Sequence, residues 1–311
     1  MKLVACNLCG ADDSRELYPS TLNQNGHALG GSAFLCTSPD YGEHYRIVQC
    51  KRCGFVYANP HADPSDVLKA YEGVVDPLYL QERVGREVTF REHLRTLHRI
   101  TGEPAGRRLL DVGAYVGVFV EMAREMGWNA EGIEPSSWAV AHARERGLPV
   151  TKGTLGSGGF PDESFEVITL WDVIEHFDDP MAELRHVFRL LKPGGVVVIH
   201  TIDIGSLTAQ VMGGRWPFLM EMHIMFFSRA TLRDMLQRVG FSYMNDHTQG
   251  RYLRLGYLAG RVTAAFGELV GKPLEKTISA LKLAEKPLAV NTLDLFTAYA
   301  MKGRKGEGVK G

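Results

Sequence analysis

No apolar run in the 311 residues reaches the roughly 18 that a membrane-spanning helix requires. The opening Met1-Lys2-Leu3-Val4-Ala5-Cys6 gives way to polar Asn7 before it can build the apolar centre of a secretory signal. The expectation is a cytoplasmic chain. An excess of one charge sign is also missing: 35 Lys and Arg stand against 36 Asp and Glu, which argues against a protein that binds by neutralising many phosphates. The 34 Gly and 14 Pro are scattered, and no segment repeats at a fixed length. Collagen-like, solenoid and broadly disordered chains are thereby excluded. Charge is uneven only at the end, where residues 251–311 carry 11 Lys and Arg against 5 Asp and Glu. A solvated helical face explains that excess better than contact with a membrane surface, although Arg251-Tyr252-Leu253-Arg254 and the mixed residues up to Lys286 could lie on one and meet a lipid-linked substrate.

Cysteine is scarce, and its placement is informative. Cys6-Asn7-Leu8-Cys9-Gly10 and Cys50-Lys51-Arg52-Cys53-Gly54 are two Cys-x-x-Cys-Gly knuckles. Their spacing lets both thiolates of each pair reach one tetrahedral ion, and four thiolates suit structural zinc. Two redox dithiols or a disulfide pair fit less well in a reducing compartment and without a βαβ pattern around either pair. Forty residues, 10–49, are inserted between the pairs. The fifth cysteine, Cys36, lies in that insertion and reads as a small packing residue.

The chain divides into a knuckle-bounded module at 1–60, linker helices at 61–106, with helical spacing over Ser65–Tyr71 and Tyr79–Ile100, and an α/β domain at 107–311. Short apolar runs at Leu109–Val112, Ala130–Glu134, Pro149–Lys152, Phe165–Trp171 and Val196–Thr201 alternate with amphipathic stretches beginning near Gly117, Ser136 and Asp179. That alternation predicts a mainly parallel sheet. A further helix is expected from Ser228 to Gly240, a helical insertion at about 251–290 and a final strand at Leu295–Met301, with the Gly/Lys-rich Lys302–Gly311 frayed.

Leu109-Leu110-Asp111-Val112-Gly113-Ala114-Tyr115-Val116-Gly117 sets an acid at a strand end, then a glycine turn, then a helix start. Such a turn brings backbone N–H groups and a helix dipole to a ligand. Glu134 follows 23 residues later, at the end of the next strand in Gly132-Ile133-Glu134-Pro135-Ser136, where a carboxylate can accept both hydroxyls of a ribose. A dinucleotide-binding dehydrogenase would need Gly-x-Gly-x-x-Gly, which is absent.

In these motifs, together with Phe165-Glu166-Val167-Ile168, Trp171-Asp172-Val173-Ile174-Glu175-His176 and Leu191-Lys192-Pro193-Gly194-Gly195, the chain resembles the class I S-adenosylmethionine-dependent methyltransferases. The resemblance runs from about Arg108 to Gly240 plus the last strand. It implies a Rossmann-like seven-stranded sheet with the last strand antiparallel, here attached to a small zinc-ribbon-like module. It also implies that Asp111 braces the loop, that Gly113, Ala114, Tyr115 and Gly117 approach the methionine part of the cofactor, and that Glu134 holds the ribose, with Pro135 and Ser136 among the cofactor-binding residues. Thr154 and Leu155 would flank adenine, and Trp171 and Asp172 would also contact the cofactor. The sequence departs from the family in two places: Tyr115 replaces the middle glycine of the loop, and Thr154 stands where an acid is common. The first reads as a side chain capping the pocket, the second as adenine held by backbone groups. Zinc modules of this kind also occur on methyltransferases of sugar and cell-surface biosynthesis.

Methyl transfer from a sulfonium is an in-line displacement, so the protein's share is alignment and, for a hydroxyl acceptor, removal of a proton. His176, Glu175 and His223 are the candidates for that work, since an unperturbed imidazole titrates near ~6.5. Asp172, Glu175 and His176, at i, i+3 and i+4, would share a face on one helical turn, with His223 closing the set. A divalent ion there is the less favoured reading. The set resembles the Glu-x-x-Glu-His group of ubiquinone-pathway O-methyltransferases and of small-RNA 2′-O-methyltransferases. Nucleic acid is disfavoured because residues 1–100 hold 11 basic and 12 acidic groups. Trp216 reads either as an aromatic lid or as a pin holding a loop to the core. The expectation is an enzyme acting on a small, sugar or lipid-linked hydroxylated intermediate. Its rival is a non-catalytic adaptor built on the zinc module. The sequence leaves the acceptor atom and the oligomeric state open.

Overall fold

The computed structural model describes residues 1–22, 35, 37 and 42–303, leaving aside the side chains of 264–266. Residues 23–34, Cys36 and 38–41 of the 10–49 insertion and the 304–311 part of the expected frayed end lie outside the described residues. The chain opens with β1 (Ser14–Tyr18), β2 (Ile47–Cys50) and β3 (Val56–Ala58), followed by α1 (Pro64–Glu72), α2 (Pro77–Gln81) and α3 (Arg83–Thr101). The α/β part runs β4 (Arg108–Val112), α4 (Val118–Glu125), β5 (Asn129–Glu134), α5 (Ser137–Glu145), β6 (Val150–Lys152), β7 (Phe165–Trp171), α6 (Pro180–Leu190), β8 (Leu191–Ile202) and α7 (Leu207–Met212). It continues with β9 (Met225–Phe226), α8 (Arg229–Val239), β10 (Phe241–Thr248), β11 (Arg251–Arg254), α9 (Leu255–Phe266), α10 (Glu268–Ala280), β12 (Pro287–Val290) and β13 (Leu295–Lys302).

Seven strands form one sheet in the order β10-β13-β8-β7-β4-β5-β6. The pairs β4/β5, β5/β6, β4/β7 and β7/β8 are parallel, whereas β13 runs antiparallel to β8 and to β10. This is the expected Rossmann-like methyltransferase sheet with its last strand reversed. Phe165–Trp171 reads as an almost unbroken apolar run because β7 is covered on both faces, with only Glu166 partly exposed. Chain order reverses between β4 and β7, so the crevice at their C-terminal ends is the place where such sheets bind ligands.

Two elements differ from the sequence expectation. β10 was not among the expected strands: Ser242, Asn245 and Asp246 interrupt its apolar pattern, because it is an edge strand with little core to face. The 251–290 segment, expected to be helical throughout, begins and ends as a two-stranded ribbon of β11 and β12 around α9 and α10. The Tyr252 amide is further held by the Thr89 hydroxyl at 2.7 Å, so the backbone finds partners outside a helix.

The N-terminal strands form a second sheet, β1-β2-β3-β9, whose last member comes from the α/β part. Val56 and Tyr57 pair with Phe226 and Met225. One apolar core runs through both units, joining Cys6, Leu8, Phe55 and Tyr57 to Ile168, Leu170, Ile199 and Phe226. The knuckle module is therefore built into the wall of the α/β unit.

Candidate active site

A cavity of about 920 Å³ opens at the C-terminal ends of β4, β5 and β7. Asp111, Gly113, Ala114, Tyr115, Glu134, Pro135, Thr154, Leu155, Trp171 and Asp172 all line it. Gly117 and Ser136 are not among the lining residues: Gly117 caps α4, and Ser136 caps α5 by accepting from the Ala139 amide at 3.2 Å. Gly113 holds φ +71°, and a Cβ there would stand 2.6 Å from the Val173 side chain, so the loop can lie against the end of β7 only as glycine.

Glu134 is fully buried, its Oε1 accepting from the Ser136 amide at 2.8 Å and its Oε2 from the Tyr115 amide at 3.0 Å. The second bond fixes Tyr115 at φ +48°, where a bulky residue is strained. The Tyr115 ring is held by Tyr79, with centroids 4.4 Å apart, and by Trp138 at 5.8 Å. Burial pushes Glu134 up to about 7, although both amides and the Tyr71 hydroxyl, which donates to it, favour its charged form. Tyr71 is a site residue that sequence reasoning missed, since α1 lies far from the loop in the chain.

Asp111, likewise buried, accepts from the Thr169 hydroxyl at 2.7 Å. Burial and, to a lesser extent, the Glu134 charge push it up to about 8. An acid whose pKa rises on folding keeps its proton in the native state at a pH where the unfolded chain has lost it. The stability this contributes is complete below the unfolded value and is lost as pH rises towards about 8. The Asp111 contribution should therefore fall from about pH 4 to about pH 8, and Asp111→Asn, which can still accept from Thr169, should remove that part of the Tm slope. Equal slopes by differential scanning fluorimetry would remove Asp111 from the account.

Glu175, His176 and His223, which also line the cavity, converge, with one ligand-type atom from each lying within 4.8 Å of the others. His176 Nδ1 lies 2.7 Å from the Met222 carbonyl and His223 Nδ1 2.8 Å from the Phe218 carbonyl. A carbonyl only accepts, so both Nδ1 atoms carry the hydrogen and both Nε2 atoms keep their lone pairs. Burial lowers the pKa of His176, and burial followed by the His176 charge pushes His223 down to about 3, so both rings are neutral. Glu175, raised to about 8 by burial and then by Asp172, accepts from the Thr201 hydroxyl at 2.8 Å. His223 is brought here by the N-terminal sheet: the Ala58 amide donates to the Ile224 carbonyl at 2.8 Å, and the Ile224 amide donates to the Glu175 carbonyl at 3.0 Å.

Asp172 does not join this trio. It adopts φ +54° and only Ile174–His176 form a 3-10 turn, so the helical register expected over 172–176 does not form. Asp172 instead faces Arg251 at 3.3 Å and His200 at 3.7 Å. Trp216 is not a lid: it is fully buried and donates from Nε1 to Asp294 at 2.8 Å. Met212, Phe218, Met220, Met222, Ile224 and Leu295 add apolar surface to the lining.

The four cysteines also converge. Cys6 and Cys53 have their sulfurs 3.5 Å apart, as do Cys9 and Cys50, and all four lie within 4.8 Å of one another without a disulfide. Gly10 and Gly54 take φ +74° and +76°, and each donates its amide to the first cysteine carbonyl of its knuckle.

A family model described as a methyltransferase domain matches residues 82–245, just over half of the chain. Over 115 residues the chain is 34% identical to the ubiquinone biosynthesis O-methyltransferase of Methylococcus capsulatus, covering 35% of this chain and 48% of that protein. Over 154 residues it is 29% identical to a "probable S-adenosylmethionine-dependent methyltransferase" of Mycolicibacterium smegmatis, covering 49% and 58%. The chain thus spans about half the length of the curated relatives it matches. A SAM-dependent methyltransferase from Archaeoglobus fulgidus superposes with a TM-score of 0.49 at 19% identity, covering 73% of this chain and all of that one.

Proposed function

Because the chain belongs to the methyltransferase-domain family, which it matches over residues 82–245, we propose that it transfers the methyl group of S-adenosylmethionine to a hydroxyl of a small biosynthetic intermediate in the cytoplasm. The observation that carries this reading is the shared cavity, lined both by the glycine loop and Glu134 and by two neutral imidazoles. The donor set fits the cofactor: a carboxylate at the end of β5 for the ribose, a loop without Cβ at Gly113, and Thr154 and Leu155 beyond. When bound, the cofactor supplies an electrophilic methyl group on a sulfonium. His176 and His223 present Nε2 lone pairs that can take the acceptor's proton, and Glu175, which holds its own proton near neutrality, would stabilise the resulting imidazolium once ionised. The methionines among the lining, Met212, Met220 and Met222, suit an acceptor with an apolar body. Oxygen as the acceptor atom draws support from the ubiquinone O-methyltransferase relatives, which match over about a third of this chain. The even charge balance favours a small molecule over RNA.

A second reading rests on the same trio. Two imidazoles with Nδ1 held by carbonyls, plus a carboxylate, are a donor set that suits a divalent ion. We also assign a structural zinc to Cys6, Cys9, Cys50 and Cys53, supported by their convergence. The cofactor reading is tested by calorimetric titration with S-adenosylhomocysteine. Wild type should bind in the micromolar range, and Glu134→Ala should lose at least about 30-fold in affinity, because hydrogen bonds to a carboxylate are among the stronger ones. A folded wild type that does not bind would leave the adaptor reading standing.

A further inference from the structure

The cofactor's amino-acid end is a zwitterion, and enclosing it requires a partner for each charge. Asp111, Glu134, Asp172 and Glu175 line the cavity and can meet an ammonium, so the scarce component is a cation for the carboxylate. Among the described residues three arginines line it: Arg86, Arg251 and Arg261. Arg86 lies over the Tyr79 ring, its guanidinium carbon 3.6 Å from the centroid. Arg261 donates to the Tyr257 hydroxyl and to the Thr37 carbonyl, towards the N-terminal insertion. Arg251 pairs at 3.3 Å with Asp172, immediately before Val173, whose side chain abuts Gly113 of the loop.

We infer that Arg251, supplied by the 251–290 insertion, binds the carboxylate of the cofactor's methionine moiety while Asp172 takes its ammonium. The Arg251–Asp172 pair is the charge complement of that zwitterion, and joining the two would give four alternating charges. The placement of Arg251 is set by the docking of β11 on α3. A Cβ on Gly85 would meet the Tyr252 carbonyl oxygen at 2.6 Å, so β11 can approach the helix only at a glycine. On either side the Thr89 hydroxyl accepts from the Tyr252 amide, and Arg254 donates to the buried Glu82 at 2.7–2.8 Å. Trp171 and His93, ring centroids 4.7 Å apart, form an adjoining wall. The insertion is thereby part of the cofactor site as well as a cover over it.

The inference rests on S-adenosylmethionine being the cofactor, so the test uses two probes on the full chain. S-adenosylhomocysteine carries the amino-acid end, and 5′-methylthioadenosine lacks it. By calorimetry Arg251→Met should weaken the first at least about 30-fold and the second by less than about threefold, with Arg251→Lys in between. Retained methylthioadenosine binding shows that the variant's pocket is folded. Equal losses for both probes, no loss for either, or a selective loss in Arg86→Met instead would overturn the assignment while leaving the cofactor reading intact. A wild type that binds neither probe would overturn both.

Discussion

Replacing Cys50 with serine should remove about one zinc per chain and lower the Tm by at least about 10 °C, the largest stability change expected of any single substitution here. The sulfurs of the four cysteines gather within 4.8 Å, two of them on buried residues. Zinc-finger peptides gain about 10 kcal/mol or more from such sites, which exceeds the net stability of many domains. Loss of the ion should spread beyond the module. The core that contains Cys6 and Cys50 also contains Ile168, Ile199 and Phe226, and β9 is a strand of the knuckle sheet. The Ala58 to Ile224 to Glu175 hydrogen-bond chain then carries the disturbance to His223. A Cys50→Ser protein should therefore lose methyl transfer before it loses its α/β sheet. Elemental analysis, thermal unfolding and near-ultraviolet circular dichroism together read this out. Wild type purified without metal, or a serine variant with an unchanged Tm, would sink the zinc assignment.

What the sequence made legible is what local pattern encodes. The apolar runs of β4 and β7 mark buried parallel strands, and Asp111, Gly113 and Glu134 are set where strand ends and a tight turn put them. The cysteine knuckles are legible because each is closed by its own local backbone turn. β10 was hidden because an edge strand carries mixed polar residues. Trp216 could not be resolved as lid or pin, because its partner Asp294 lies 78 residues away. The i, i+3, i+4 spacing puts Asp172 on one helical face with Glu175 and His176, but its left-handed backbone breaks that register. Tyr71 and Arg251 were invisible as site residues for one shared reason. They enter the cavity from α1 and β11, which flank the recognisable motifs at either end, and their roles depend on packing that no short spacing records. Gly85 was the nearest thing to a signal: a glycine within a helix that marks the close approach of another backbone.

Replacing His223 with alanine should lower kcat at least about 100-fold while S-adenosylhomocysteine affinity stays within about threefold. Radiolabelled cofactor and a panel of phenolic and sugar hydroxyls would supply the turnover to measure. The expectation follows from the bonding of the ring: Nδ1 is committed to the Phe218 carbonyl, so Nε2 faces the trio with an unshared pair on a neutral imidazole. A loop-holding role predicts something else, since His223→Asn can still donate to that carbonyl and would recover the activity. An asparagine variant that stays as inactive as alanine leaves proton removal or metal binding as the function of Nε2. Chelation separates those two. A base acting alone keeps its rate in a strong chelator, whereas an ion held by Glu175, His176 and His223 would be stripped and its activity restored by added magnesium or manganese. The zinc site should withstand the same treatment better, because four thiolates hold zinc more tightly than two imidazoles and a carboxylate hold magnesium or manganese. A loss of activity without a fall in Tm would therefore locate the extracted ion at the trio.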